Sequence, residues 1–119
     1  RRNQQSSNLV IKQFKVMVCV RTFGQAERLS KLKPDFLAYE PPELIGGKIS
    51  VSQAQPGVIK RVVEKIPGLP IIVGAGIKSS EDVKKSLKFG AQGVLVSSGV
   101  VLAENQKEAL EDLAKGFKK

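Results

Sequence analysis

Short runs of apolar, mostly β-branched residues alternate along this chain with longer segments of helical period, and that alternation dictates repeated βα units around a parallel sheet. The runs fall at residues 16–20, 36–40, 70–73 and 93–96, each short and apolar as strands covered on both faces tend to be. Between them the helices announce their ends. Thr22 followed by Gln25 spells a capping box, opening a helix whose Phe23, Ala26, Leu29 and Leu32 share a face and which Pro34 ends. A second helix begins near Pro56, with Val58, Ile59, Val62, Val63 and Ile66 as its apolar stripe and Gly68 as its stop. Ser79 and Ser80 cap a third, with Val83 and Leu87 inward and Gly90 after the last turn. Asn105 and Glu108 open a fourth, for which Ala109, Leu110, Leu113 and Phe117 are the expected buried face. Residues 1–14 carry only a weakly amphipathic pattern and are expected to form a remnant helix or a poorly ordered segment.

The chain has 119 residues, enough for one domain and well short of the roughly 250 of a closed barrel of eight such units. Its formal charge of +9 invites a nucleic-acid partner, but Lys84-Lys85 and Lys118-Lys119 fall on helix faces or ends. The few aromatic residues are not interleaved with them as a stacking surface requires. No segment approaches the ~20 uninterrupted apolar residues of a membrane span, the longest candidate being broken by Pro70, Gly74 and Gly76. The single Cys19 lies within the first strand, where a small buried hydrophobe is expected. One cysteine can form no internal disulfide, which suits a reducing, cytoplasmic setting.

In parallel βα architectures, ligands bind beyond the carboxyl ends of the strands, so the residues following each strand carry the functional information. The second strand ends at Glu40, and side-chain alternation puts Phe36, Ala38 and Glu40 on one face. Pro41 and Pro42 then fix the exit path, while Gly46-Gly47 supply the backbone freedom of a moving flap. A glutamate so placed is a candidate base beneath a lid, although a solvated loop carboxylate has the same local pattern. The third strand runs into Gly74-Ala75-Gly76-Ile77 and the fourth into Ser97-Ser98-Gly99. Small residues at both ends, each before a helix, suit an anion cradled by backbone amides. Close packing of helix on strand would use the same residues.

Taken in order, five motifs resemble the archaeal type of triosephosphate isomerase. They are Ala38-Tyr39-Glu40-Pro41-Pro42-Glu43-Leu44-Ile45-Gly46, Val51-Ser52, Val73-Gly74-Ala75-Gly76-Ile77, Glu81-Asp82-Val83-Lys84-Lys85 and Gly93-Val94-Leu95-Val96-Ser97-Ser98-Gly99-Val100. The likeness covers residues 16 to the C-terminus and implies an α/β chain of the (β/α)8 barrel family, holding its last four βα units as a half barrel. It implies interconversion of dihydroxyacetone phosphate and glyceraldehyde 3-phosphate in glycolysis and gluconeogenesis, with no cofactor and no metal. Carried over by position, Glu40 matches the catalytic base. Pro41, Pro42, Glu43, Leu44 and Gly47 match the lid, and Ile45, Gly46, Gly76, Ser97 and Ser98 match the contacts to the substrate phosphate.

The likeness stops short at three places. The sequence contains no histidine, so the family's carbonyl-polarising electrophile is not among these residues, nor is the lysine of its first strand. Gly47-Lys48 stands where a threonine and a glycine are usual, which changes the hydrogen bonds open to a closed lid. Four βα units leave two strand edges unpaired, so the expectation is a partner: the other half of a barrel, or a second copy of this chain. Two further readings remain open from sequence, a non-catalytic half barrel that only grips phosphate and a barrel enzyme acting on another phosphorylated metabolite.

Overall fold

The computed structural model describes residues 14–118, so the expectation for the first segment lies almost wholly outside the described residues. Four strands, β1 (Met17–Val20), β2 (Phe36–Tyr39), β3 (Ile71–Gly74) and β4 (Gly93–Leu95), form one parallel sheet in sequence order. Among the described residues six α-helices accompany them: α1 (Phe23–Ser30), α2 (Val51–Ala54), α3 (Pro56–Lys65), α4 (Ser80–Lys88), α5 (Ser98–Val101) and α6 (Gln106–Lys115). A 3-10 turn, Pro42–Leu44, follows β2. The strand positions agree with the apolar runs to within a residue at each end, the usual fraying of a boundary.

The register sorts the sheet into two faces. Val18 lies beside Leu37 and Leu37 beside Ile71, while Val20, Tyr39, Val73 and Val94 form the next row. These residues meet the helices and join Ile59, Val62, Val83 and Leu113 in one core. Fully burying a Leu, Ile or Val contributes about 1.5–3 kcal/mol, so Leu37, Ile59, Val62 and Val73, all with 0% exposure, carry much of the fold. A cation–π contact adds to it, with the Arg61 guanidinium of α3 standing 3.9 Å from the centre of the Phe23 ring of α1.

The opposite face carries Met17, Cys19, Phe36, Ala38, Ile72, Gly93 and Leu95 by the same alternation. Among the described residues, Ala38 and Ile72 in the middle of this face are buried, while Met17 at its edge is exposed and so, against expectation, is Cys19: the edge strand β1 has a described strand neighbour on one side only. The expected stripe of α6 is also only partly right, because Leu113 is buried while Leu110 is 59% and Phe117 45% exposed. That helix packs against α4 and α5, and the contact buries Leu113 but not Leu110 or Phe117. Leu32 likewise lies beyond the end of α1 and is exposed.

The helix ends follow the sequence signals with one change. Thr22 Oγ1 accepts from Gln25 N, but the Gln25 carboxamide accepts from Arg21 N, one residue before the cap, so the reciprocal half of the box is displaced. At α4 the box is complete, between Ser79 and Asp82. The two four-residue helices α2 and α5 carry no sequence period, since four residues make barely one turn.

Leu37→Ala should lower the stability of the 119-residue chain by about 2–5 kcal/mol in urea unfolding, whereas Leu110→Ala should change it by no more than about 0.5 kcal/mol.

Candidate active site

Glu40 follows β2 and extends its ladder by one bond, Glu40 N donating to Val20 O at 2.9 Å. Pro41, which has no N–H to donate, is buried and turns the chain away there. Because Tyr39 pairs with Val73, the next residue of β2 comes level with Gly74 of β3, on the face away from the helices. The consequence is direct contact. A Cβ built on Gly74 would lie 2.9 Å from Glu40 Oε2, 3.3 Å from its Cδ and 3.1 Å from Leu95 Cβ. The carboxylate lies across the bare backbone of β3, in space that any larger residue at position 74 would occupy.

This carboxylate borders two cavities. One, of about 100 Å³, is lined by Glu40, Ile45, Gly46, Gly76, Ser97 and Ser98 among others, so the expected base and all five expected phosphate contacts come together. The other, of about 260 Å³, lies on the side of β1 and is lined by Cys19, Arg21, Glu40, Pro42 and Ile45 among others. The remaining lid residues have other surroundings: Leu44 packs on the core, and Glu43 is exposed and accepts from Gln55 Nε2 at 3.4 Å.

The floor of the first cavity is a backbone loop under constraint. Ala75 and Gly76 have φ values of 94° and 69°, and a non-glycine residue in that region costs of order 1–3 kcal/mol unless its surroundings impose it. Here they do. Val51 N donates to Ala75 O at 3.0 Å, and a Cβ on Gly76 would fall 2.4 Å from Ile49 O and 2.9 Å from Ser50 Cα. Beyond the bend, Lys78 N and Ser79 N donate to Asp82 Oδ2 at 3.0 and 3.3 Å. The Asp82 carbonyl in turn accepts from Ser52 Oγ and Ser86 Oγ, and Ser52 is bonded to Ser50. Among the described residues, no buried side-chain nitrogen or oxygen lacks a partner, which is what lets so polar a cluster rigidify the loop.

At β4 the chain enters α5 directly. Val100 N and Val101 N both donate to Ser97 O, leaving the N–H groups of Ser98 and Gly99 ahead of the first helical bond and without intrahelical partners. Across the cavity the lid is held by few bonds: Leu44 N to Pro41 O, Ile45 N to Pro42 O and Gly47 N to Leu44 O. Behind it, on the helix side of β2, the Tyr39 hydroxyl donates to Gln55 Oε1. Burial first, and the Glu43 charge second, hold the Tyr39 phenol above its ordinary pKa.

Sequence reasoning identified the residues that line the cavity and missed those that brace it. Gln55 and Ser52 act through contacts spanning 16 and 30 positions that leave no local pattern, and Ser50 and Ser86 join the same cluster, whereas the Ser79–Asp82 spacing was a usable signal.

A family model described as triosephosphate isomerase matches residues 2–115. Among curated proteins, the chain is 51% identical over 104 residues to the triosephosphate isomerase of Thermoplasma volcanium, covering 86% of this chain and 49% of that protein. It is 48% identical to that of Methanothermus fervidus, covering 82% and 46%, and 44% identical to that of Methanocaldococcus jannaschii, covering 83% and 47%. The chain thus spans about half the length of these relatives. Among solved structures, thiamine phosphate pyrophosphorylase from Pyrococcus furiosus superposes with a TM-score of 0.71 at 20% identity, covering 93% of this chain and 52% of that one. A geranylgeranylglyceryl phosphate synthase from Thermoplasma acidophilum does so with a TM-score of 0.67 at 23% identity, covering 81% and 36%. At that level of identity the likeness speaks to the fold alone.

Gly76→Ala should cost about 1–3 kcal/mol in urea unfolding and shift the amide resonances of Ile49 and Ser50. Gly57→Ala, in a helix and with nothing within 4 Å of its built Cβ, should instead stabilise by about 0.4–1 kcal/mol.

Proposed function

The chain belongs to the triosephosphate isomerase family, and from that footing we propose that it supplies the carboxylate base and the phosphate cradle of an aldose–ketose isomerase acting on triose phosphates. The observation that carries this reading is the Glu40 carboxylate lying across Gly74 at the wall of the cavity that also holds Gly76, Ser97 and Ser98. A base and an anion site so close suit a substrate only a few atoms long, with its phosphate at one end and its acidic carbon near the other.

The proposed reaction follows from that spacing, in a scheme borrowed from the family, which is itself the standard illustration of a glutamate base beneath a water-excluding loop. Dihydroxyacetone phosphate binds with its phosphate against the backbone N–H groups of Gly76, Ser97 and Ser98, where partial positive charge faces the anion and small residues allow close approach. Ile45 and Gly46 of the lid close the cavity from above. Glu40 removes a proton from the hydroxyl-bearing carbon beside the carbonyl, leaving an enediolate; the hydroxyl proton passes to the former carbonyl oxygen, carried by a group outside these residues, and the Glu40 carboxyl returns its proton to the former carbonyl carbon to give glyceraldehyde 3-phosphate. Expelling water strengthens the carboxylate as a base, and phosphate binding away from the reacting carbons drives the closure. The reading carries glycolysis and gluconeogenesis, and a cytoplasmic location, with it.

A histidine electrophile is not among these 119 residues, and among the described residues β1 and β4 have no strand neighbour beyond them in the sheet. We therefore propose that the other half of a barrel, in a longer chain or a second polypeptide, or else a second copy of this chain, pairs with those edges. The missing histidine also favours a second reading, a half barrel that grips phosphate without catalysis.

Two measurements separate these. In a full-length protein carrying this segment, Glu40→Gln should lower kcat by about 10²–10⁴-fold and abolish tight binding of a phosphate-bearing enediolate mimic; indifference of both would favour the non-catalytic reading. The 119-residue chain alone should show no turnover, and a normal turnover number from it would overturn the proposed need for a partner.

A further inference from the structure

Gln55 sits at an unusual place, between α2 and α3, and its backbone is fully engaged there. Its N–H donates to Val51 O, and its carbonyl accepts from Val58 N and Ile59 N. As the residue capping α3 it makes no side-chain bond to that helix, although a side chain at this position commonly does so. The carboxamide is spent on something else. Its Oε1 accepts from the Tyr39 hydroxyl, and its Nε2 donates to Glu43 Oε2 at 3.4 Å. The orientation of the amide is dictated by its partners, since an ionised carboxylate only accepts and must face the NH₂ end. Burial and the Glu43 charge both keep Tyr39 protonated, so its hydroxyl remains a donor.

The three residues join parts with different duties. Tyr39 is the last residue of β2, directly before Glu40 and on its opposite face. Gln55 is fixed by two helices, and Glu43 lies in the exposed 3-10 turn that begins the lid. With these contacts in place, Ile45 and Gly46 line the cavity that Gly76, Ser97 and Ser98 share. We propose that Gln55 is a positioning residue that latches the lid to the strand bearing the base, setting Ile45 and Gly46 over the anion site. It touches no reacting atom. Its bond to Glu43 is long and exposed, so the latch can break and reform as the lid moves.

This inference rests on the functional reading above, and the test keeps the two apart. In a full-length protein carrying this segment, Gln55→Met removes both bonds in a side chain of similar length, and Glu43→Ala breaks the latch from its exposed end, where folding is not at risk. Each change should weaken an enediolate mimic bearing phosphate by about three- to tenfold, through faster dissociation. Each should lower kcat/KM for glyceraldehyde, which has no phosphate for the lid to close on, by less than it lowers kcat/KM for the triose phosphate. The double variant should lose no more than Gln55→Met alone, because that change already removes the bond that Glu43 makes.

Equal losses with and without phosphate, additive losses in the double variant, or no loss at all would each overturn the latch. Should the parent protein show no isomerisation, the functional reading fails. Amide hydrogen exchange at residues 43–47 then decides the latch by itself: it should accelerate in both variants, and unchanged exchange would dispose of it.

Discussion

A missing side chain governs the arrangement of this molecule. The parallel register brings the residue after Tyr39 level with Gly74, and the Glu40 carboxylate occupies the volume a Cβ at position 74 would need. The ladder bond from Glu40 N to Val20 O fixes one end of that residue and Pro41 fixes the other, so the carboxylate is aimed by backbone alone. The same strand presents Leu37 and Tyr39 to the helices on its opposite face. Burial of the helix side and placement of the half-buried carboxylate on the other side are therefore one constraint, since a slip of the register by one residue would exchange the two faces.

Around that contact the structure spends its polar groups on immobilising backbone. Asp82 is the centre: its carboxylate holds the amides of Lys78 and Ser79, and its carbonyl gathers Ser52 and Ser86. Through Ser50 and Val51 the same cluster presses residues 49–51 against the Ala75–Gly76 bend. Such a fully partnered network stores the strained φ of Ala75 and keeps the loop from relaxing. The lid, by contrast, is tied by three turn bonds and the carboxamide of Gln55. A stiff floor with a lightly held cover is the division of stability that a gated cavity requires.

Much of this was legible in the residues themselves. Period-two alternation put Glu40 on the face away from Leu37 and Tyr39, and the small residues 74–76 and 97–99 marked the ends of β3 and β4. Alternation, however, does not say which face meets a helix, and so Cys19 was expected inside and lies outside. Leu110 and Phe117 failed for a related reason, because an apolar stripe says only that a helix can bury a face and not that a neighbour is present to bury it. The contacts of Gln55 reach 12 and 16 positions away and have no expression in local sequence. The open four-stranded sheet of the described residues and the half-length match to its relatives are consistent with each other.

The most direct test of the central claim is a crystal structure of a full-length protein carrying this segment, with a phosphate-bearing enediolate mimic bound. The account predicts the mimic's phosphate on the backbone amides of Gly76, Ser97 and Ser98, and its enediolate oxygens within hydrogen-bond distance of Glu40. A phosphate bound elsewhere, or a Glu40 carboxylate turned away from Gly74 and the ligand, would contradict it.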